Sequence, residues 1–299
     1  MFVLVIALGG VVVAVVARLS RCGPDVGCEQ MNTTNLDWRA TLTEALNAPG
    51  GLGDTYTRFY NYSFLNQIRL LMQGVAEPVA TYNRWQELGR QVRKGSKAKV
   101  VLAPVLIGRE VTDGNGNVVL GDDGKPRKRQ ILVGFRDSRT VFGYSDTDGD
   151  ELPPVELAGW DADVALATLG VDRVPFDMIN GNAQGFSFED GNGRHVAINP
   201  MAAFPAKTLL HELAHLMLGH CTQGDHTHRD VAEFEAEATA YLVAKELELI
   251  ARDPAESRAY IHGWLGGAEV TEDNITRVFA AVNKILTAGR IDVAEAVAA

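Results

Sequence analysis

The feature that most constrains this chain is a pair of histidines four residues apart inside a leucine-rich run, Leu209-Leu210-His211-Glu212-Leu213-Ala214-His215-Leu216-Met217. A spacing of four puts both side chains on one face of a helix, one turn apart. The imidazoles then project the same way, while Leu209, Leu210, Leu213, Leu216 and Met217 supply an apolar side. Such a helix is expected to be buried at the floor of a cleft, with two ring nitrogens facing out of it.

Two imidazole nitrogens at that separation can reach one metal ion at about 2.0–2.1 Å. Glu212 follows the first histidine, where a carboxylate reaches a metal-bound water without being a ligand. The pattern is that of a Zn2+ site with Glu212 as general base. A third ligand is expected on the next helix, where Glu233, Glu235 and Glu237 lie. Glu235 is favoured because Thr239, four residues on, can support it by hydrogen bonding, with Glu237 as the alternative. His211, His215 and Glu235 leave a fourth position for water, so the residues predict a zinc-dependent metallopeptidase.

The other candidates carry blander readings. His220, His226 and His228 are expected to be solvated loop histidines, and Cys221 a buried small residue rather than a ligand. Segment His195-Val196-Ala197-Ile198-Asn199 is the candidate edge strand for an extended substrate. Tyr260 and His262 could face a tetrahedral oxyanion, but core packing accounts for them as well. Asp146-Thr147-Asp148-Gly149-Asp150 lacks the ligand spacing and distal glutamate of a calcium loop and reads as a solvated turn.

The 299 residues allow two cores. Residues 151–299 hold 23 acids and 10 bases, and residues 1–150 hold 15 acids and 18 bases, so a net charge of −10 hides a mildly basic first half. Such asymmetry suggests two jobs, one of them involving a polyanion. Three cysteines, Cys22, Cys28 and Cys221, offer no disulfide framework and point to a reducing, cytoplasmic setting. Met1 to Ala17 is apolar throughout. Residues 1–30 are read either as a hydrophobic leader or as a misassigned start before Met31. Membrane contact is expected only if the leader is real.

Along the chain the expected class is α+β. Residues 35–75 read as helices, with Leu36, Leu42, Ala45 and Leu46 at helical spacing and Pro49-Gly50-Gly51 as a stop. Val100 to Ile107 reads as a strand that opens an antiparallel meander over 100–145, with Asp113-Gly114-Asn115-Gly116 among the turn signals. Pro153-Pro154 marks a boundary. A second, zincin-like metallopeptidase domain follows, with a helix near 161–169, a loop-rich stretch, a short strand at 194–199 and helices at 206–220, 231–250, 256–265 and 274–286. The domains are therefore expected at 31–150 and 151–299.

Between Arg84 and Lys99 the bases Arg84, Arg90, Arg93, Lys94, Lys97 and Lys99 face a single acid, Glu87, with Tyr82 and Trp85 interleaved. Bases that neutralise phosphates beside rings that stack on bases are the ingredients of single-strand binding. A solvated charged face is the competing reading. Tyr82, Arg84, Trp85, Arg90, Arg93, Lys94 and Lys97 are the candidate DNA contacts.

The motifs Tyr62-Ser63-Phe64-Leu65-Asn66, Thr81-Tyr82-Asn83-Arg84-Trp85 and Leu88-Gly89-Arg90-Gln91-Val92-Arg93-Lys94-Gly95 resemble the N-terminal domain of ArdC-like antirestriction proteins. Val141 to Gly149 looks like a diverged form of the closing motif. In the second half, His211 to His215 and Glu235-Ala236-Glu237-Ala238-Thr239-Ala240-Tyr241 look like the peptidase signatures. The resemblance covers roughly residues 35–290. It implies a single-stranded-DNA-binding first domain, a zinc-binding second domain and an antirestriction role on a mobile genetic element. The function expected is thus DNA binding joined to a zinc-dependent metallopeptidase of unknown protein or peptide substrate. The alternatives are a non-catalytic DNA-masking protein with a vestigial zinc site, and a regulatory peptidase that cleaves a repressor.

Overall fold

The computed structural model describes residues 2–8, 11–17, 36–56, 62–112, 117–120, 124–152, 159–177, 183–221, 229–249, 255–267 and 269–291. The chain forms two compact units, one of residues 1–36 with 100–139 and the other of residues 37–99 with 140–299. This division differs from a cut at residue 150.

In the first unit, β1 (Phe2–Leu8) and β2 (Val11–Ala17) pair antiparallel, Phe2 opposite Ala17. The apolar leader is rich in valine, a side chain that suits a pleated strand better than a helix. No helix among the described residues is long and apolar enough to cross a membrane.

The second unit begins with three helices, α1 (Trp38–Asn47), α2 (Leu52–Tyr56) and α3 (Phe64–Met72). The Asp37 carboxylate caps α1 by accepting from the Ala40 amide at 2.9 Å, satisfying a donor the helix leaves orphaned. Leu42, Ala45 and Leu46 are buried, as their spacing predicts. The chain continues through β3 (Val79–Thr81), α4 (Tyr82–Glu87) and β4 (Arg90–Val92). It then enters the long strands β5 (Lys99–Glu110) and β6 (Lys128–Gly143). Residues 100–110 and 128–139 of these strands lie in the first unit, where β5 and β6 are hydrogen-bonded neighbours. The antiparallel bridges Thr112–Val118 and Leu120–Pro126 extend the expected meander. The turn at 113–116 lies outside the described residues. In the second unit the end of β6 pairs with β3, Val79 opposite Gly143, and β7 (Thr147–Gly149) pairs with β4, Arg90 opposite Gly149.

After β8 (Gly159–Trp160) come α5 (Ala162–Leu169), β9 (Val171–Arg173), β10 (Gly185–Asp190) and β11 (Gly193–Ile198). The helices α6 (Pro205–Leu218), α7 (Arg229–Glu246), α8 (Ala255–Leu265) and α9 (Glu272–Ala288) follow, then β12 (Arg290–Ile291). The fold is α+β, as expected. Strands β10, β11 and β9 form a sheet with β11 in the middle, antiparallel to β10 and parallel to β9. The segment read as an edge strand for substrate is therefore the central strand, with neighbours on both sides. The strand β10, which falls in the stretch read as loop, is at the edge.

Helix α6 lies against β10, β11, α7 and α9. Ala214 and Leu218 of α6, Ala236 of α7 and Ala281 of α9 form one buried cluster, three of whose four side chains are single methyl groups that let the helices close on one another. The N-terminal helices join this core. The rings of Trp38 and Phe64 lie 6.4 and 6.2 Å from that of Phe279 on α9. Arg39 donates to the Leu265, Gly267 and Val270 carbonyls, and Lys245 donates to that of Leu46.

Candidate functional site

Helix α6 starts at Pro205, whose missing N–H costs nothing at the first helical position, and ends at Gly219 in the left-handed conformation. Between them His211 and His215 share a face, as their spacing requires. Their Nε2 atoms lie 3.1 Å apart. Two ligands on one tetrahedral ion with bonds of about 2.05 Å are separated by about 3.3 Å, so the pair is set for a single cation. Glu233 Oε2 on α7 lies 3.4 Å from His211 Nε2 and 3.8 Å from His215 Nε2. One ligand atom from each of His211, His215 and Glu233 lies within 4.8 Å of the others. The set of two nitrogens and one carboxylate oxygen suits a divalent cation, and the site opens to solvent on the Glu233 side, whose side chain is 42% exposed.

The carboxylates tune this face. Burial works against a charged His211, but hydrogen bonds to Glu233 and Glu237, with the charge of Glu212, outweigh it and hold the imidazolium up to about 9. The same contacts, from His211 and then His215, hold Glu233 well below the usual carboxylate range. Glu237 sits on the other side of the His211 ring, 3.4 Å from Nδ1, and accepts from Lys207 Nζ at 2.6 Å. It supports His211 from behind.

The third-ligand expectation is corrected: the structure groups Glu233, not Glu235, with the histidines. Residues 233 and 237 are four apart and share the face toward α6, while 235 points the opposite way. Glu235 is fully buried against His220, Asn274 and Arg277. Thr239 gives it no support, since its hydroxyl has no hydrogen-bond partner among the described residues. Glu212 faces β10, where its Oε2 accepts from Ser187 Oγ at 2.7 Å. Cys221 contacts Ser187 at 3.6 Å and is half-buried. Tyr260 is 42% exposed, beside Trp264 at 6.3 Å between ring centroids. His226 and His228 lie outside the described residues.

Of the candidate DNA contacts, five are exposed and two are not. Tyr82, Arg84, Arg93, Lys94 and Lys97 present side chains to solvent. Tyr82 is 41% exposed, and its hydroxyl accepts from Gln91 Nε2 at 2.7 Å. Trp85 is fully buried with Ala80 and Val92, its indole N–H donating to the Phe142 carbonyl at 3.0 Å. It cannot stack on a base. Arg90 is also buried, donating to the Thr147 hydroxyl and to the Thr147, Gly149 and Asp150 carbonyls. Both are withdrawn from the contact set: Arg90 holds β4 against β7, and Trp85 fills a small core between β3, β4 and the end of β6. Gly149 belongs to the same joint. Its φ of 142° and the Gly89 oxygen 2.4 Å from where a Cβ would stand restrict the position to glycine. The acids of the diverged closing motif pair with the basic segment, Asp148 with Arg93 at 2.9 Å and Asp146 with Lys99 at 3.5 Å.

Fold and site together define an α+β protein with a two-histidine, one-carboxylate cluster on packed helices and an exposed basic segment earlier in the chain. Residues 28–142 match the family described as the N-terminal domain of anti-restriction factor ArdC. Among curated proteins no match is found. Two solved structures are similar. One is the metal-free antirestriction ArdC protein from the R388 plasmid, 23% identical, with 85% of this chain and 96% of that chain covered at a TM-score of 0.44. The other is the Mn(II)-bound form of that protein, 21% identical, with 85% and 98% covered at 0.45.

These findings correct the zinc metallopeptidase expectation. The similar solved proteins are described as antirestriction proteins and not as peptidases or hydrolases, and the ion named in one of them is Mn(II), not Zn2+. Within this chain Glu235 is engaged by His220 and Asn274, and the carboxylate grouped with the histidine pair is that of Glu233.

Proposed function

We propose that this chain is a non-catalytic single-stranded-DNA-binding protein of the antirestriction type, with a divalent-cation site in its C-terminal helical region. The match of residues 28–142 to the ArdC N-terminal domain carries this reading. Tyr82, Arg84, Arg93, Lys94 and Lys97 are its DNA contacts, a set of exposed cations beside one exposed ring. His211, His215 and Glu233 hold the cation, and the Mn(II)-bound form of the similar ArdC protein makes that ion the first to try. The sparse cysteines fit action in the cytoplasm.

Fluorescence anisotropy with labelled single-stranded DNA tests the reading. Affinity is expected to fall steeply with salt, and a Lys94→Ala/Lys97→Ala variant to lower the slope of log affinity against log salt by about 1.4, at about 0.7 per phosphate contact. Absent or salt-independent binding refutes it.

A further inference from the structure

Behind His215 lies a second imidazole. His220 stands just past α6, where Gly219 at φ 79° turns the chain back and the His220 amide donates to the His215 carbonyl at 3.0 Å. The turn sets the two rings together, Nδ1 to Nδ1 at 3.0 Å. The other nitrogen of His220, Nε2, lies 2.8 Å from Glu235 Oε2. The His220 side chain is 4% exposed and that of Glu235 is 0% exposed. Asn274 Nδ2 donates to Glu235 Oε1 at 2.9 Å, and the Arg277 guanidinium lies 3.4 Å from Oε2, balancing the charge.

We infer that His220 and Glu235 are positioning residues that fix the tautomer of His215. A carboxylate only accepts hydrogen bonds, so His220 turns its Nε2–H toward Glu235 and offers the lone pair of Nδ1 to His215. His215 then donates from Nδ1, and its own lone pair stays on Nε2. That nitrogen is the one 3.1 Å from His211 Nε2, facing the cation position. The reverse order sets a lone pair of His220 against the Glu235 carboxylate at 2.8 Å inside the core, which leaves buried acceptors without donors. Imidazoles that bind metals ordinarily anchor their second N–H on a carboxylate or carbonyl. Here an imidazole is inserted between, and Glu235 acts on the site through it.

The inference rests on the divalent-cation reading, and its test separates the two. Ring-nitrogen NMR shifts of His215 in metal-free protein report the tautomer and need no cation. Electron paramagnetic resonance titration with Mn2+ reports binding. The wild type is expected to hold His215 with its proton on Nδ1. His220→Leu should mix the tautomers and weaken Mn2+ binding about 10–100-fold. His220→Gln should restore both, because its amide oxygen accepts from His215 and its N–H faces Glu235. Should His220→Leu fail to fold, Glu235→Gln carries the same test, since an amide no longer dictates which way His220 points. A wild-type His215 protonated on Nε2, or a folded His220→Leu with unchanged tautomer and Mn2+ affinity, overturns the inference. A wild type that keeps the Nδ1 proton, loses it in His220→Leu, and binds no Mn2+ upholds the relay and refutes the cation reading.

Discussion

The Arg90 guanidinium carbon lies 4.1 Å from the centroid of the Tyr144 ring, with the donors of the same group spread over the carbonyls of β7 and its flank. A flat, five-donor cation is needed to face a ring and satisfy several acceptors at once. Arg90→Lys is therefore expected to destabilise the fold by about 2 kcal/mol, read by urea denaturation, while the folded fraction binds DNA as before. A drop in DNA affinity at unchanged stability would return Arg90 to the contact set.

Trp85 makes a parallel case. It fills the small cluster with Ala80 and Val92, so Trp85→Ala should cost about 3–5 kcal/mol. Trp85→Phe keeps most of the burial and gives up the hydrogen bond to Phe142, so its cost should be well below that of Ala. Denaturation midpoints of the two variants check the order.

The ion pair between Arg93 and Asp148 predicts a gain of function. Arg93 is also held by the Ser145 and Thr147 carbonyls, so it stays in place when the acid is neutralised. Asp148→Asn removes a negative charge beside an exposed cation and should tighten single-stranded DNA binding about threefold at low salt, the gain fading as salt rises. Anisotropy at two ionic strengths measures it. Equal affinity at both for the variant and the parent would place the DNA path elsewhere.

How much of this was legible in the sequence follows from range. The histidine pair and the spacing of Leu42, Ala45 and Leu46 are local, and they appear as read. The partner of an apolar stripe is not local, and nothing in residues 38–72 says that Trp38 and Phe64 meet Phe279. The misassigned carboxylate was a question of phase. Residues 219–228 separate α6 from α7, and their number does not say which face of α7 turns inward. One signal was present, because Glu233 and Glu237 share a face four residues apart, and a paired face suits a histidine site better than the lone Glu235. Trp85 was misread because an aromatic within a basic run resembles a stacking platform, whereas Val79, Ala80 and Val92 around it mark the inside of a small core.

Glu246 gives a pH dependence. It lies on α7 and accepts from the Leu52 and Gly53 amides, joining α7 to the N-terminal helices. Burial pushes its carboxyl up from 4.5 to about 7, against the two amide bonds. A carboxyl raised on folding binds its proton more tightly in the native state. Its stabilising share is therefore full below pH 4.5 and is lost as pH rises through about 7. The share is on the order of 3 kcal/mol at most. Thermal melts should show stability falling across that window in the parent and a flatter profile in Glu246→Gln, and matching profiles would refute the assignment.

The cation site separates two glutamates that flank one ring. Glu233 faces Nε2 of His211, the nitrogen also turned toward His215, whereas Glu237 faces Nδ1 and is already held by Lys207 and Ser257. A ligand supplies charge directly to the ion, while a residue behind the ring acts only by orienting it. Glu233→Gln and His211→Ala should thus each weaken Mn2+ binding by more than 100-fold, and Glu237→Gln by about 10-fold, the lower end of what a supporting partner contributes. Isothermal titration with Mn2+ on the three variants reads the order directly. If Glu237→Gln proves the more damaging of the two carboxylate changes, the ion binds on the Nδ1 side of His211 and Glu233 is the bystander.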